Sequence, residues 1–276
     1  MIELGEKGKV IDKDLMVKDP RFGLPHFYGT KYDDQEHLWF PRDTRELYNK
    51  NMKSDYERKL LQENGWTSTN ITYKINKNGF RHDGSARDFF KVNPGGVAYV
   101  GDSIIFGVGI NIEDTFTYKA HPKELPYINM GCPGHGIEGY YRVVKKWLPI
   151  IRPKLLCVFH SWVQTRSEHF ISNKNAFVHH TYQSDQEHTL YRFDPLDVQI
   201  RWHKNIDAIK WICHQTGTKI WVMEEPPNDK LYENFYKNYR IWGSQKTARD
   251  LMHPGTQWNN NLVQDFKKIV NDNLEK

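Results

Sequence analysis

The sequence predicts an α/β protein built on a mostly parallel sheet. Three observations carry this. Short apolar runs recur from residue 96 onward, they alternate with segments of helical periodicity, and most runs stop at glycine, proline or a small polar residue. Strands covered on both faces read as continuous apolar runs, and strands alternating with helices build βαβ units.

Residues 1–95 stand apart from this pattern. They are rich in Asp, Lys, Asn, Gly and Pro, with scattered aromatics as in RFGLPHFYGT and HLWFPRD. One helix is predicted over 44–63, stopped by Gly65. TNITYKIN (69–76) alternates as a strand does, with Ile71, Tyr73 and Ile75 on one face, and KNGF then reads as a turn. Residues 1–95 are therefore read as an N-terminal extension packed on the main domain, not as a unit that folds alone.

Residues 96–276 form the main domain in this reading. VAYVG (97–101) is its first strand, EDTFTYKAHPKE a short helix and YINMG (127–131) the second strand. GIEGYYRVVKKWLPII (136–151) places Ile137, Tyr140, Tyr141, Val144, Leu148 and Ile151 at helical spacing and ends before Pro153. KLLCVFH (154–160) is the third strand. A long amphipathic helix follows over 196–217, with Gly217 as its stop. TKIWVMEE (218–225) is the fourth strand, cut by Pro226 and Pro227, and a helix from TQWNN closes the chain. Residues 165–195 break the alternation and read as an insertion or lid.

Bulk properties narrow the function. The net charge of +5 comes from 39 basic and 34 acidic residues, with no run of five or more like charges, so nucleic-acid binding has little electrostatic support. No segment approaches the ~20 apolar residues of a membrane span. The first twenty residues hold no apolar stretch of the signal-peptide kind. The three cysteines form no CxxC pair and suit a reducing compartment, so the expectation is a cytoplasmic protein. Cys157 and Cys213 sit in apolar contexts and read as core residues. Aromatics make up 14% of the chain, which fits a packed core or stacking platforms for sugars or bases. Neither G-x-x-x-x-G-K-[ST] nor G-x-G-x-x-G occurs, so no nucleotide cofactor is expected. His179, His180 and His188 have no ligand spacing, and no metal is expected.

The chemistry gathers at the strand ends, where open parallel sheets place their sites. The first strand ends in Gly101-Asp102-Ser103, the second in Gly131 and the third near His160-Ser161-Trp162. Ser103 reads either as the cap of a helix beginning near Phe106 or as a nucleophile. A nucleophilic serine needs a base, and the base needs an orienting acid. Of thirteen histidines, His253 is the best placed: Asp250 lies three residues earlier, and Pro254 and Gly255 take the stretch out of a helix. Arg81 is expected to be structural, pairing with a carboxylate of the core. Arg166 and Glu168 are expected to pair at the pocket rim.

These segments resemble a known family. YVGDSIIFGVGINIEDTF resembles the serine block of the SGNH (GDSL-type) hydrolases, INMGCPGHG the glycine block and DLMHPG the closing Asp-x-x-His block. INKNGFRHDG resembles the strand-turn that precedes the serine block in esterase-like members. The resemblance implies a flavodoxin-like three-layer αβα sandwich and a triad of Ser103, His253 and Asp250. It implies an oxyanion hole from the N–H groups of Ser103 and Gly131. The family's third block, Gly-x-Asn-Asp, is missing; Gln164, Ser161 or His160 stand in its place, and Gln164 has the right amide chemistry. Trp162 and Arg166 are the expected substrate contacts. The function implied is a serine esterase or deacetylase acting without cofactor on O-acyl esters, acetyl or short acyl, of a small molecule or polysaccharide. The missing Asn keeps open a weakened glycan-binding or structural protein, and the same triad would also serve an acyltransferase.

Overall fold

The computed structural model describes residues 2–4, 10–12, 20–23, 35–83, 95–159, 166–171, 176–181, 195–223 and 246–275. Two short antiparallel strands, β1 (Ile2–Leu4) and β2 (Val10–Asp12), open the chain. Next, β3 (Gln35–His37) pairs antiparallel with β4 (Tyr73–Ile75), and helices α1 (Arg45–Asn51) and α2 (Asp55–Glu63) lie between them in sequence. The single helix predicted over 44–63 is thus two. Thr44 caps the first, its Oγ1 accepting from Leu47 N at 3.2 Å. The second restarts after Ser54, where Asp55 and Glu57 sit in the first turn and complement the helix dipole.

The core follows in the predicted order. Strand β5 (Val97–Gly101) leads into a four-residue helix α3 (Ser103–Phe106), then α4 (Phe116–Ala120), β6 (Tyr127–Gly131), α5 (Ile137–Ile151) and β7 (Leu155–Val158). An antiparallel hairpin, β8 (Arg166–Ile171) and β9 (Ala176–Thr181), occupies part of the expected lid. Its strands carry His, Glu and Arg among their apolar residues, which is why the sequence shows no apolar run there. Helix α6 (Pro195–Thr216), strand β10 (Lys219–Val222) and helix α7 (Thr256–Glu275) complete the domain.

Strands β6, β5, β7 and β10 form a parallel sheet in that spatial order, which is 2-1-3-4 in order of appearance. Helices cover both faces. Side chains alternate across a strand, so Ala98, Val100, Ile128, Met130, Leu156 and Val158 meet α5 and α6, while Val97, Tyr99, Tyr127, Leu155 and Cys157 meet α4 and α7. Much of the aromatic content is committed here. The Phe266 ring lies 4.9 Å from Phe159, 5.2 Å from Phe116 and 5.7 Å from Trp221 between ring centroids. Fully burying one such side chain contributes about 1.5–3 kcal/mol.

The winding direction reverses beside β5: one connection leads to β6, whereas β7 and β10 lie on its other side. Doubly wound sheets place their crevice at the carboxyl ends of the strands flanking such a reversal. Residues 35–83 pack at this end. Phe40, Leu61, Trp66, Ile71, Tyr73 and Ile75 share one apolar cluster with Phe106, Val108, Ile110 and Ala248. Among the described residues no helix is long and apolar enough to cross a membrane.

Candidate active site

The turn after β5 answers the question of the cap. Asp102 is the N-cap of α3, and its carboxylate accepts from Ile104 N at 2.9 Å. Ser103 is the first helical residue, so its hydroxyl is left for another partner. That partner is His253, whose Nε2 lies 2.8 Å from Ser103 Oγ. On the other side of the ring, His253 Nδ1 donates to Asp250 Oδ2 at 2.5 Å. A serine hydroxyl, an imidazole and a carboxylate therefore form one hydrogen-bonded line at the carboxyl end of the parallel sheet.

Local geometry explains how Asp250 and His253 both face Ser103. Leu251 adopts a left-handed backbone, φ 52°, and the chain folds back on itself. Met252 N and His253 N both donate to Asp250 Oδ1, each at 3.1 Å. Oδ1 thus holds the loop while Oδ2 holds the ring. Asp250 is buried and the His253 side chain is 15% exposed, enough to be reached from solvent.

Burial pulls the His253 pKa down, but the charge and hydrogen bond of Asp250, with Asp102 adding to them, outweigh it and hold the pKa above the ordinary histidine value; Arg42 acts in the opposite sense. A base must be neutral to accept a proton, so a reaction that uses His253 as its base is expected to slow as pH falls through this raised pKa, with the acid limb of kcat/KM above the 6.5 of a free histidine. Arg42 is exposed and sits at φ 82° in the turn between Phe40 and Asp43. Replacing it with glutamine removes a cation that depresses the imidazole. The acid limb is expected to move to still higher pH, as a pH profile of kcat/KM would show; an unmoved limb would put Arg42 out of electrostatic reach.

The glycines after Ser103 serve the same geometry. Gly109 has φ 77°, and a methyl there would stand 2.8 Å from Ala248 Cβ and 3.0 Å from Asp250 Oδ1. Its carbonyl accepts from Arg249 N at 2.9 Å. Gly109→Ala is expected to displace the Asp250 loop and lower kcat by about 10²-fold, the cost typical of a misplacement near 1 Å. A steady-state assay of this variant alongside its melting curve checks the loss.

Arg81 departs from expectation. It is fully buried and pairs with backbone carbonyls: Nη1 donates to Phe106 O (3.1 Å) and Gly107 O (2.5 Å), Nη2 to Thr72 O (3.0 Å) and Ile110 O (2.9 Å). A short helix leaves its last carbonyls without partners, and a planar guanidinium can serve several at once. Arg81 closes the end of α3 and so holds the turn that carries Ser103.

Gly131 is also corrected. Its N–H, expected to face an oxyanion, already donates to Asn129 Oδ1 at 2.8 Å. Gly131 has a packing reason to be glycine, since a methyl would stand 2.4 Å from Phe106 N. In the turns after β5 and β6, two other N–H groups have no acceptor among the described residues: that of Ser103 and that of Gly134, the next glycine after Gly131. Gly134 has φ 79° and is the one residue of 131–137 that is not buried. Sequence reading passed over it because Gly131 sits at the strand end.

His160, Ser161, Trp162 and Gln164 lie outside the described residues, and so does the side chain of Arg166. The carboxylate of Glu168 accepts from Arg142 of α5, at 2.7 Å and 2.8 Å, a strong bidentate pair, while the expected Arg166–Glu168 pair involves a side chain outside the described residues. All three cysteines are buried, and burial pushes the Cys213 thiol up to about 12. Among the described residues, no three His, Cys, Asp or Glu side chains converge as metal ligands do. No protein-family model matches the chain, and a search of curated proteins finds no significant relative.

Proposed function

We propose that this protein is a serine esterase of the SGNH type, acting on O-acyl esters of acetyl or short acyl groups. The observation that carries the proposal is the hydrogen-bonded line from Ser103 through His253 to Asp250. The 2-1-3-4 sheet with helices on both faces supports a flavodoxin-like three-layer sandwich, which the family resemblance also implies.

In this mechanism Ser103 Oγ attacks the ester carbonyl carbon while His253 Nε2 takes its proton. Asp250 keeps the ring proton on Nδ1, so that Nε2 presents a lone pair, and it stabilises the imidazolium that forms. The C–O bond to the alcohol breaks as His253 returns the proton to that oxygen. Water, deprotonated by His253, then releases the acyl group from Ser103. The N–H groups of Ser103 and Gly134 are the donors for the oxyanion. One such donor is worth about 10²–10³ in kcat.

The test is covalent labelling with a fluorophosphonate, followed by peptide mass analysis, together with turnover of acetyl and longer-chain nitrophenyl esters. An adduct on Ser103 and hydrolysis of short esters are expected. A chain that takes no label and turns over no ester is not a serine hydrolase.

A further inference from the structure

We infer that the N-terminal segment completes the active site: Asp43, gripping Arg249 and Tyr73, is a positioning residue for the loop that carries Asp250 and His253. The inference rests on the triad reading above.

Asp43, Arg249 and Tyr73 are all buried, with relative exposures of 1%, 0% and 0%. Arg249 Nη2 donates to Asp43 Oδ2 at 2.7 Å, and Arg249 Nε donates to Oδ1 at 3.1 Å. The same guanidinium reaches Leu38 O at 2.5 Å and lies 4.2 Å from the centre of the Trp39 ring. Tyr73 Oη donates to Asp43 Oδ2 at 2.5 Å and accepts from Gly109 N at 2.8 Å. Arg249 directly precedes Asp250, and its own N–H donates to Gly109 O. Trp66 Nε1 adds a further tie, donating to Thr247 O at 2.6 Å.

Two backbone segments thus meet at one carboxylate. Through Arg249 it holds the acid–base loop, and through Tyr73 it holds Gly109 of the nucleophile turn. The distance between Ser103 Oγ and His253 Nε2 depends on how those two segments are spaced, and Asp43 spans them. The left-handed backbone at Arg42 and Leu251 belongs to the two turns this grip joins. A network of this kind keeps one arrangement because loss of either partner leaves a buried charge unpaired.

Three conservative variants test the inference: Asp43→Asn, Arg249→Lys and Tyr73→Phe. Each keeps most of the side-chain volume, and the tyrosine variant removes only one oxygen from an aromatic cluster. Variants are first screened by melting curve and circular dichroism, and kinetics are read on those that fold. The expected result is a fall in kcat of roughly 10- to 10²-fold, the scale of a small misplacement, with KM little changed. A slackened Asp250 contact also lowers the raised pKa of His253, so the acid limb moves to lower pH. Among the described residues the charged groups acting on that ring are Asp250, Asp102 and Arg42, and none of the three variants alters them. Leu61→Val, in the same apolar cluster, controls for a merely structural role: it lowers the melting temperature and leaves the acid limb in place. Folded Tyr73→Phe with native kcat and a native acid limb overturns the inference. The triad reading fails separately, through an active Ser103→Ala variant.

Discussion

Replacing Ser103 with alanine is expected to lower kcat by about 10⁶-fold, the loss seen when the nucleophile is removed from a serine hydrolase. The fold should be little affected. Among the described residues the Ser103 side chain hydrogen-bonds only to His253 Nε2, while the short helix it starts is held by backbone bonds from Gly107 N and Val108 N to Ser103 O. Alanine keeps those bonds and favours a helix. The melting temperature should therefore stay near native while labelling at position 103 disappears. Two measurements decide: single-turnover ester cleavage and fluorophosphonate incorporation. A variant that hydrolyses esters within tenfold of native removes Ser103 from the chemistry.

Asp250→Asn is expected to cost about 10⁴-fold in kcat. The reason lies in which oxygen does what. The amide oxygen of asparagine can still accept from Met252 N and His253 N, as Oδ1 of Asp250 does. The loop keeps its shape. The amide nitrogen then faces His253 Nδ1 and donates to it, which drives the ring proton to Nε2. An Nε2–H points at Ser103 Oγ as a donor and cannot take its proton. The variant also loses the charge that holds the imidazole pKa up, so its pKa should fall. A ¹⁵N spectrum of the imidazole across pH would read both effects. A ring that still carries its proton on Nδ1, with turnover near native, would separate Asp250 from the mechanism.

Much of the core was legible in the sequence because parallel strands between helices leave a local mark. VAYVG and YINMG were read at residues 97–101 and 127–131, where β5 and β6 lie. The Asp250 and His253 pair was legible for the same reason: three residues apart, beside Pro254 and Gly255, they could share one short loop. Elements that pair through edges or polar residues were not legible. Strand β3 is Gln-Glu-His, which carries no strand pattern and is defined by its partner β4. The β8–β9 hairpin was missed because its residues mix charge with apolar character.

What the sequence determined by itself is which groups are chemically able to act and in what order they come. A hydroxyl after a strand, a carboxylate and an imidazole in a turn, and glycines beside them are properties of residue type and short spacing. Only the tertiary structure decided what holds them. Arg249 finds Asp43 across 206 positions, Arg81 turns to carbonyls instead of a carboxylate, and the Gly131 N–H goes to Asn129. Burial is the physical reason. Once water is excluded, each polar group must take whichever partner the packed chain brings within about 3 Å, and neighbours in sequence do not reveal which partner that is.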